Sequence, residues 1–246
     1  MENLVGTNKK ILIICEGSFE VELLKKIIDL YPLDIECSFY EYRTNIHILK
    51  TTLLDYFDEK DFDISDIDII QVLKEHRNED ILNSRFTDIL LVFDFEPQDA
   101  RFDVQFLIKL QEYFCDSTNQ GQLYLNYPMS ESIFDFASLP DDNFNQRRVH
   151  KDNIVRSQYK NKVMRTSCIR DINNINLNNI RLILWHIFVK IGFITDKITP
   201  DYLMLLNIEC SHLSGDKMID VINTCALFLY DYNPSEFKEF IRIQFT

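Results

Sequence analysis

The sequence predicts an α/β fold, a Rossmann-like parallel sheet followed by a C-terminal all-helical appendage. Two observations carry that expectation. Short continuous apolar runs, KILIIC, DILLVF and QLYLN, alternate with segments of helical period up to about residue 137. Such runs suit strands buried on both faces, as in a parallel sheet covered by helices. From about Pro140 onward the apolar residues follow helical periods and no clear strand is legible.

Each element has its own signal. Lys10–Cys15 is rich in β-branched residues and reads as a buried strand, broken by Glu16-Gly17-Ser18. In Phe19–Leu30, Val21, Leu24, Ile27 and Ile28 share a helical face, with Ser18 as the expected N-cap. Ile35–Tyr42 reads as strand and Ile46–Phe57 as helix. Asp55–Asp68, with seven acids and one lysine, reads as a solvated loop or helix end, and Ile67–Leu73 as a candidate strand. Asp88–Phe93 is a continuous apolar strand closed by Asp94-Phe95-Glu96-Pro97. Phe102–Phe114 is an amphipathic helix, and Gln122–Asn126 a strand ended by Tyr127-Pro128. Farther on, Arg181–Ile191, Asp201–Cys210, Lys217–Tyr230 and Ser235–Ile243 fit helical periods. The polar, turn-forming segment SLPDDNFNQ suggests a boundary, giving an α/β domain over residues 1–140 and a helical domain over 141–246.

Composition sets outer limits. Over 246 residues, 46% hydrophobic and 26% charged content excludes a disordered chain, and five Gly with six Pro excludes collagen-like sequence. The longest nearly apolar stretch, Leu182–Ile194, contains His186 and Lys190 and falls short of the roughly 20 residues of a membrane span. The N-terminal residues lack a signal-peptide run, and the six cysteines form no CxxC pair, so a reduced, cytoplasmic protein without membrane contact is expected. Net charge is −13, but residues 1–135 carry 12 basic against 27 acidic residues, whereas 136–246 carry 14 against 12. Arg147–Arg170 holds eight basic residues and one acid. Within it Arg147, Arg148, Lys151, Arg156, Lys160, Lys162 and Arg165 are candidates for gripping a nucleic-acid phosphate backbone, and His150 lies among them; the bland alternative is a solvated face.

In an open parallel sheet ligands gather at the carboxyl ends of strands. Three such ends carry acids here: Glu16, with Glu20 one turn into the next helix; Asp94 and Glu96; and Glu131 after QLYLN. Crowded carboxylates are costly unless a cation neutralises them, and a hard oxygen donor set suits Mg²⁺ or Mn²⁺ in phosphoryl transfer. Asp94 as a phosphoryl-accepting nucleophile is a weaker reading, because Gln98 breaks the Asp-x-Asp-x-Thr/Val pattern that chemistry uses. His47, His76, His186 and His212 stand isolated, with no metal-ligand spacing. Neither Gly-x-x-x-x-Gly-Lys-Ser/Thr nor Gly-x-Gly-x-x-Gly is present, so no ATP-binding loop is expected.

The constellation Glu16-Gly17 in ILIICEGSFE with Asp94-Phe95-Glu96 in LLVFDFE resembles the Toprim domain of topoisomerases, bacterial primases, ribosomal-RNA maturases and the overcoming-lysogenization-defect nucleases. The second motif departs from that family's Asp-x-Asp by placing Glu96 where Asp is usual. The stretch LYLNYPMSESIFD looks like the third motif of Toprim proteins from bacterial antiviral defence loci, and on that basis Glu131 is carried over. The resemblance covers residues 9–137. It implies a Mg²⁺- or Mn²⁺-dependent endonuclease with Glu16, Asp94 and Glu96 catalytic, Glu16 orienting or deprotonating water, and Glu20 and Glu131 completing the metal shell. It also implies an antiviral-defence effector acting on nucleic acid, with RNA, tRNA in particular, favoured over DNA. The other reading is a non-enzymatic Toprim-like interaction subunit held by a partner ATPase. A homo-oligomer is compatible with either.

Overall fold

The computed structural model describes residues 9–31, 36–56 and 67–242, without the side chains at 55, 56 and 156. Five strands form the main sheet: β1 Lys10–Cys15, β2 Glu36–Glu41, β3 Asp88–Asp94, β4 Cys115–Asp116 and β5 Gly121–Asn126, in spatial order β2-β1-β3-β5-β4. β2, β1, β3 and β5 run parallel, and only the two-residue β4 is antiparallel, on β5. Leu12, Ile13, Leu91, Phe93, Leu123 and Leu125 are buried, as a sheet covered on both faces requires. Because β1 pairs with β2 on one side and β3 on the other, the chain order reverses between β1 and β3. The crevice at such a reversal lies outside the carboxyl ends of the strands, where the acids of the sequence motifs stand.

Helix α1 (Ser18–Leu30) begins one residue earlier than the periodicity indicated, and its N-cap is Gly17 rather than Ser18. The Glu20 carboxylate folds back to accept the Gly17 N–H, so an acid in the first turn does the capping. Helix α2 spans Ile46–Tyr56; most of the acidic run after it, residues 57–66, lies outside the described residues. The candidate strand at Ile67–Leu73 is instead the start of helix α3 (Ile69–His76). The Asp68 side chain caps it by accepting from the Gln71 N–H, and Ile69, Val72 and Leu73 bury one face at helical spacing. Helix α4 is Val104–Tyr113, capped by Asp103.

After residue 140 the chain is not all helical. Strands β6 (Arg148–His150) and β7 (Met218–Asp220) form a small antiparallel sheet. β7 replaces the beginning of the expected Lys217–Tyr230 helix, of which only α8 (Phe228–Tyr232) is helical. Three-residue strands are too short to show a period, and their pairing partner lies some 70 residues away. The remaining helices are α5 (Gln158–Thr166), α6 (Leu177–Thr195), α7 (Tyr202–Gly215) and α9 (Pro234–Phe240).

With 19 residues, α6 is long and apolar enough, by length and composition, to cross a membrane, which extends the thirteen-residue run read from the sequence. One face, including Ile180, Ile183, Leu184, Ile187 and Ile191, packs into the protein core. Lys190 is wholly buried on the same helix and ion-paired with Asp220 at 3.1 Å. The segment read as a boundary is anchored in the core by Asp141 and Phe144, while most of its other residues are exposed. The buried side chains on either side of it join one hydrophobic cluster.

Candidate functional site

The carboxyl ends of β1, β3 and β5 open onto a cavity of about 720 Å³ lined by Glu16, Glu20, Asp94, Glu96 and Glu131, all five of the acids singled out in the sequence. Glu41, at the end of β2, is a sixth carboxylate on its wall, and Arg43 and Lys160 are the lining cations among the described residues. Three neighbouring parallel strands thus end at or next to an acid here, and the turn after β5 brings a further one, Glu131. That arrangement is read directly from strand order, which the sequence does not display.

Each acid is held by a specific partner. Glu16 follows β1, and its Oε2 accepts the backbone N–H of Asp94 at 3.1 Å. Asp94 ends β3; its Oδ1 accepts from Asn126 Nδ2 at 3.3 Å, and its Oδ2 faces the Ser130 hydroxyl at 3.3 Å. The same hydroxyl contacts Glu20 Oε1 closely. A serine hydroxyl carries one proton, so it can donate to only one of these two carboxylates. The contact is complete when one carboxyl is protonated or when a cation lies between them. Glu96 adopts a left-handed backbone (φ 40°), and its Oε2 accepts from Asn45 Nδ2 at 2.8 Å. Glu131 sits in a short 3₁₀ turn, Ser130–Phe134, and pairs with Lys160 of α5.

The electrostatics follow from this crowding. Burial, with Glu96, Glu20 and Glu131 nearby, pushes the Glu16 carboxyl up to about 9. Burial raises Asp94 well above the usual carboxylate range, and Glu16, Glu20 and Glu131 add to the rise. Burial also raises Glu20, against the lowering effect of the Ser130 contact. Lys160 is held above its ordinary value chiefly by its bond to Glu131. The site therefore keeps protons that a divalent cation would replace. Its donors are hard oxygens, and Ser130 lacks a proton for one of the two carboxylates it touches, a donor set with room for a cation. Asp99 is not part of this group: Arg101 grips it bidentately and pulls its carboxyl low.

Sequence reading missed Ser130, Asn126 and Asn45, the polar side chains that hold the acids. It also missed the C-terminal loop behind them. Asn126 Oδ1 accepts the N–H groups of Thr224 and Cys225 at 3.1 and 3.2 Å, and Asn223 Nδ2 donates to the Ser130 carbonyl at 2.9 Å. These loop residues carry no periodic signal that links them to β5.

The basic stretch divides. Lys160 lines the acid cavity. Arg147 is turned inward, 2.9 Å from buried Asp141 and 3.5 Å from Asp135. Arg148 is gripped by Asp216 at 2.9 Å and lies 3.5 Å from Asp220. Lys162 pairs with Asp135 at 3.1 Å while remaining 46% exposed. Arg165 is exposed on α5, and its Nε donates to the Asn161 carbonyl. Lys151 is partly buried beside β6, and its backbone N–H donates to the Lys217 carbonyl at 2.9 Å. The side chain of Arg156 lies outside the described residues.

His212, read as isolated, is not. Glu209 and His212 stand one turn apart on α7 and meet Asp220 of β7, with one ligand atom from each inside 4.8 Å. This buried Glu/His/Asp group can hold a metal ion, and the i, i+3 spacing of Glu209 and His212 was its available signal. Two protein cations already serve its aspartate: Asp220 lies 3.1 Å from Lys190 and 3.5 Å from Arg148. Burial and Asp220 push Glu209 up to about 8.

Compared with known protein families, curated proteins and solved structures, the chain matches none.

Proposed function

We propose that this chain is a metal-dependent nuclease that hydrolyses phosphodiester bonds of nucleic acid at the acid cavity. The observation that carries the reading is the convergence of Glu16, Glu20, Asp94, Glu96 and Glu131 on one cavity at the sheet's reversal point, with proton-retaining carboxyls. These residues would hold Mg²⁺ or Mn²⁺, which when bound lowers the pKa of water and stabilises a leaving oxygen. Glu16, partly exposed at the cavity, orients or deprotonates the attacking water. Asp94, held by Asn126, and Glu96, held by Asn45, present fixed oxygens. Lys160 stands at the edge, its ammonium paired with Glu131, and would reach a phosphate oxygen once a metal takes over that carboxylate. The resemblance of Glu16-Gly17, Asp94-Phe95-Glu96 and the Asn126–Glu131 segment to Toprim defence nucleases supports the same reading, and with it RNA, tRNA in particular, as substrate and a role in antiviral defence.

A second reading is favoured by the Lys160–Glu131 pair, which places a protein cation against one of the acids. In it the chain is a non-catalytic subunit held by a partner ATPase. Purified protein incubated with total tRNA and with supercoiled DNA, in Mn²⁺, Mg²⁺ and EDTA, separates the two. Cleavage in metal that disappears in EDTA and in Glu16→Gln supports the nuclease. Intact substrates, together with no metal-induced rise in melting temperature, support the subunit.

A further inference from the structure

A second cavity, of about 870 Å³, opens on the other side of α5. Its size falls in the range of pockets that enclose small organic ligands, roughly 300–1,000 Å³. Among the described residues no aspartate or glutamate lines it, although the chain has 39 of them, whereas Arg148, His150, Lys162 and Arg165 do. Arg148 is committed to Asp216 and Asp220 and serves as wall. Lys162 and Arg165 are exposed; Lys162 shares its ammonium with Asp135 at 3.1 Å, so Arg165 is the less committed of the two. Both are on one face of α5 with Gln158 and Asn161, at the i, i+3, i+4, i+7 spacing of a helix. The lining also includes the apolar side chains of Val149, Met164 and Met218 and the amide groups of Asn153, Gln158 and Asn161. Met164 is 40% exposed and offers the cavity an apolar surface.

The position is as informative as the chemistry. Met164 also borders an intermediate cavity, and Lys160 borders both that cavity and the acid site, so the three openings follow one another around α5. Anionic groups are attracted to Lys162 and Arg165, flat apolar groups to the methionines, and hydrogen-bonding edges to the amides. One ligand presents all three: a nucleotide with its base unstacked. Bases of a duplex are stacked and paired and do not enter such a cavity.

We propose that this cavity binds a nucleotide unit of single-stranded nucleic acid, holding a residue of the strand that crosses α5 to the acid site. The proposal rests on the nuclease reading for the strand's destination, and its test is arranged to be independent of cleavage. Binding is measured by fluorescence anisotropy in EDTA, using labelled RNA and DNA oligonucleotides of about 12 nucleotides, within the site sizes of single-strand binders. The wild type is expected to bind, Arg165→Glu to bind about tenfold more weakly, and Arg165→Lys to stay within about threefold, since a phosphate contact needs charge more than shape. Arg85→Glu reverses an exposed charge before β3 and controls for bulk electrostatics; it is expected to change affinity by less than about threefold. An oligonucleotide with abasic sites is expected to bind more weakly than its intact counterpart. Whether RNA or DNA binds more tightly identifies the source of the strand.

No binding by the wild type, equal losses in Arg85→Glu and Arg165→Glu, or equal affinity for intact and abasic strands overturns the proposal. If Arg165→Glu lowers the melting temperature, Asn161→Asp, an exposed position on the same helix face, replaces it in the comparison. Failure of metal-dependent cleavage with the expected binding pattern intact removes the catalytic reading and leaves the pocket standing.

Discussion

Glu16 is the side chain whose chemistry makes the strongest demand on its surroundings. Its carboxyl, ordinarily near 4.5, titrates near 9 in the folded protein because it is buried among other acids. Between those values the folded state holds a proton that the unfolded chain has released. The unfolded state therefore binds fewer protons, and stability falls as pH rises from about 4.5 to 9, then levels off. Asp94 and Glu20, raised for the same reason, push in the same direction. Glu16→Gln removes one titrating group at nearly constant volume. Its melting temperature is expected to match the wild type near pH 5 and to exceed it at pH 8, by the equivalent of about 1–3 kcal/mol after allowing for screening of a partly exposed side chain. Melting curves at pH 5, 7 and 9 give the answer, and parallel curves for the two proteins would remove Glu16 from the proton-holding group. Mg²⁺ acts on the same balance. On the proposed reading it would displace protons from the cavity acids, so the stabilisation it brings is expected to be larger at pH 8 than at pH 6. Differential scanning fluorimetry with and without millimolar Mg²⁺ measures this, and a shift that shrinks as pH rises contradicts it.

At the scale of elements, the strand ends are fixed by a few polar side chains that reach across to other segments. Asn126, the last residue of β5, is fully buried; it donates to Asp94 and accepts from Thr224 and Cys225. Asn126→Ala strands the buried Thr224 N–H and leaves the Cys225 N–H only its contact with Asn223, and is expected to cost about 1–3 kcal/mol in urea unfolding. A loss below about 0.5 kcal/mol would show that water takes over these groups. Lys190 plays the corresponding part in α6, reaching the Phe144 carbonyl, the Arg147 carbonyl and Asp220. Lys190→Met leaves Asp220 beside Glu209 with one fewer cation, and the expected cost is about 3–5 kcal/mol; adding Asp220→Asn is expected to recover part of it. A double variant no more stable than the single one would show that the pair is not the source of the loss. These elements also mark what was legible in the sequence. β1, β3 and β5 stood out because each is a continuous apolar run ended by a polar breaker. Their terminal acids could therefore be named before their convergence was known. Ile67–Leu73 misled because three of its isoleucines favour strand, and only the Asp68 cap and the 69, 72, 73 spacing reveal the helix. β6 and β7 are three residues each, too short for a period of two to register. Ser130, Asn45 and Asn126 were hidden for a different reason: a polar side chain in a loop or at a strand end is ordinary until its partner, tens of residues away, is placed beside it.

For the whole molecule, the question is whether residues 141–246 are an appendage or a necessary half of one folded unit. Composition changes near residue 140, and the charge balance changes with it. The contacts do not follow that division. Tyr127 and Ile222 exchange backbone hydrogen bonds at 2.7 and 2.8 Å, extending the end of β5 with C-terminal chain. The Thr224 hydroxyl donates to the Leu125 carbonyl at 2.9 Å, and the Tyr124 and Tyr202 hydroxyls both donate to Asp231. Asp135 and Asp141, close to the compositional boundary, are neutralised by Arg147 and Lys162 from beyond it. A fragment ending at residue 140 would expose the buried side of β5, leave Asn126 without its two donors and release Glu131 from Lys160. Each of these losses falls on the acid cavity or its support. The full chain is accordingly expected to unfold in one transition, with far-ultraviolet circular dichroism and intrinsic fluorescence giving the same urea midpoint, as a two-state unit requires. Trp185 on α6 reports the C-terminal half, while the helices around the parallel sheet contribute much of the circular dichroism signal. The fragment 1–140 is expected to show no cooperative transition and no metal-induced stabilisation. Two separated midpoints in the full chain, or a cooperative melt of the fragment, would establish independent domains and place the acid cavity in the first of them alone.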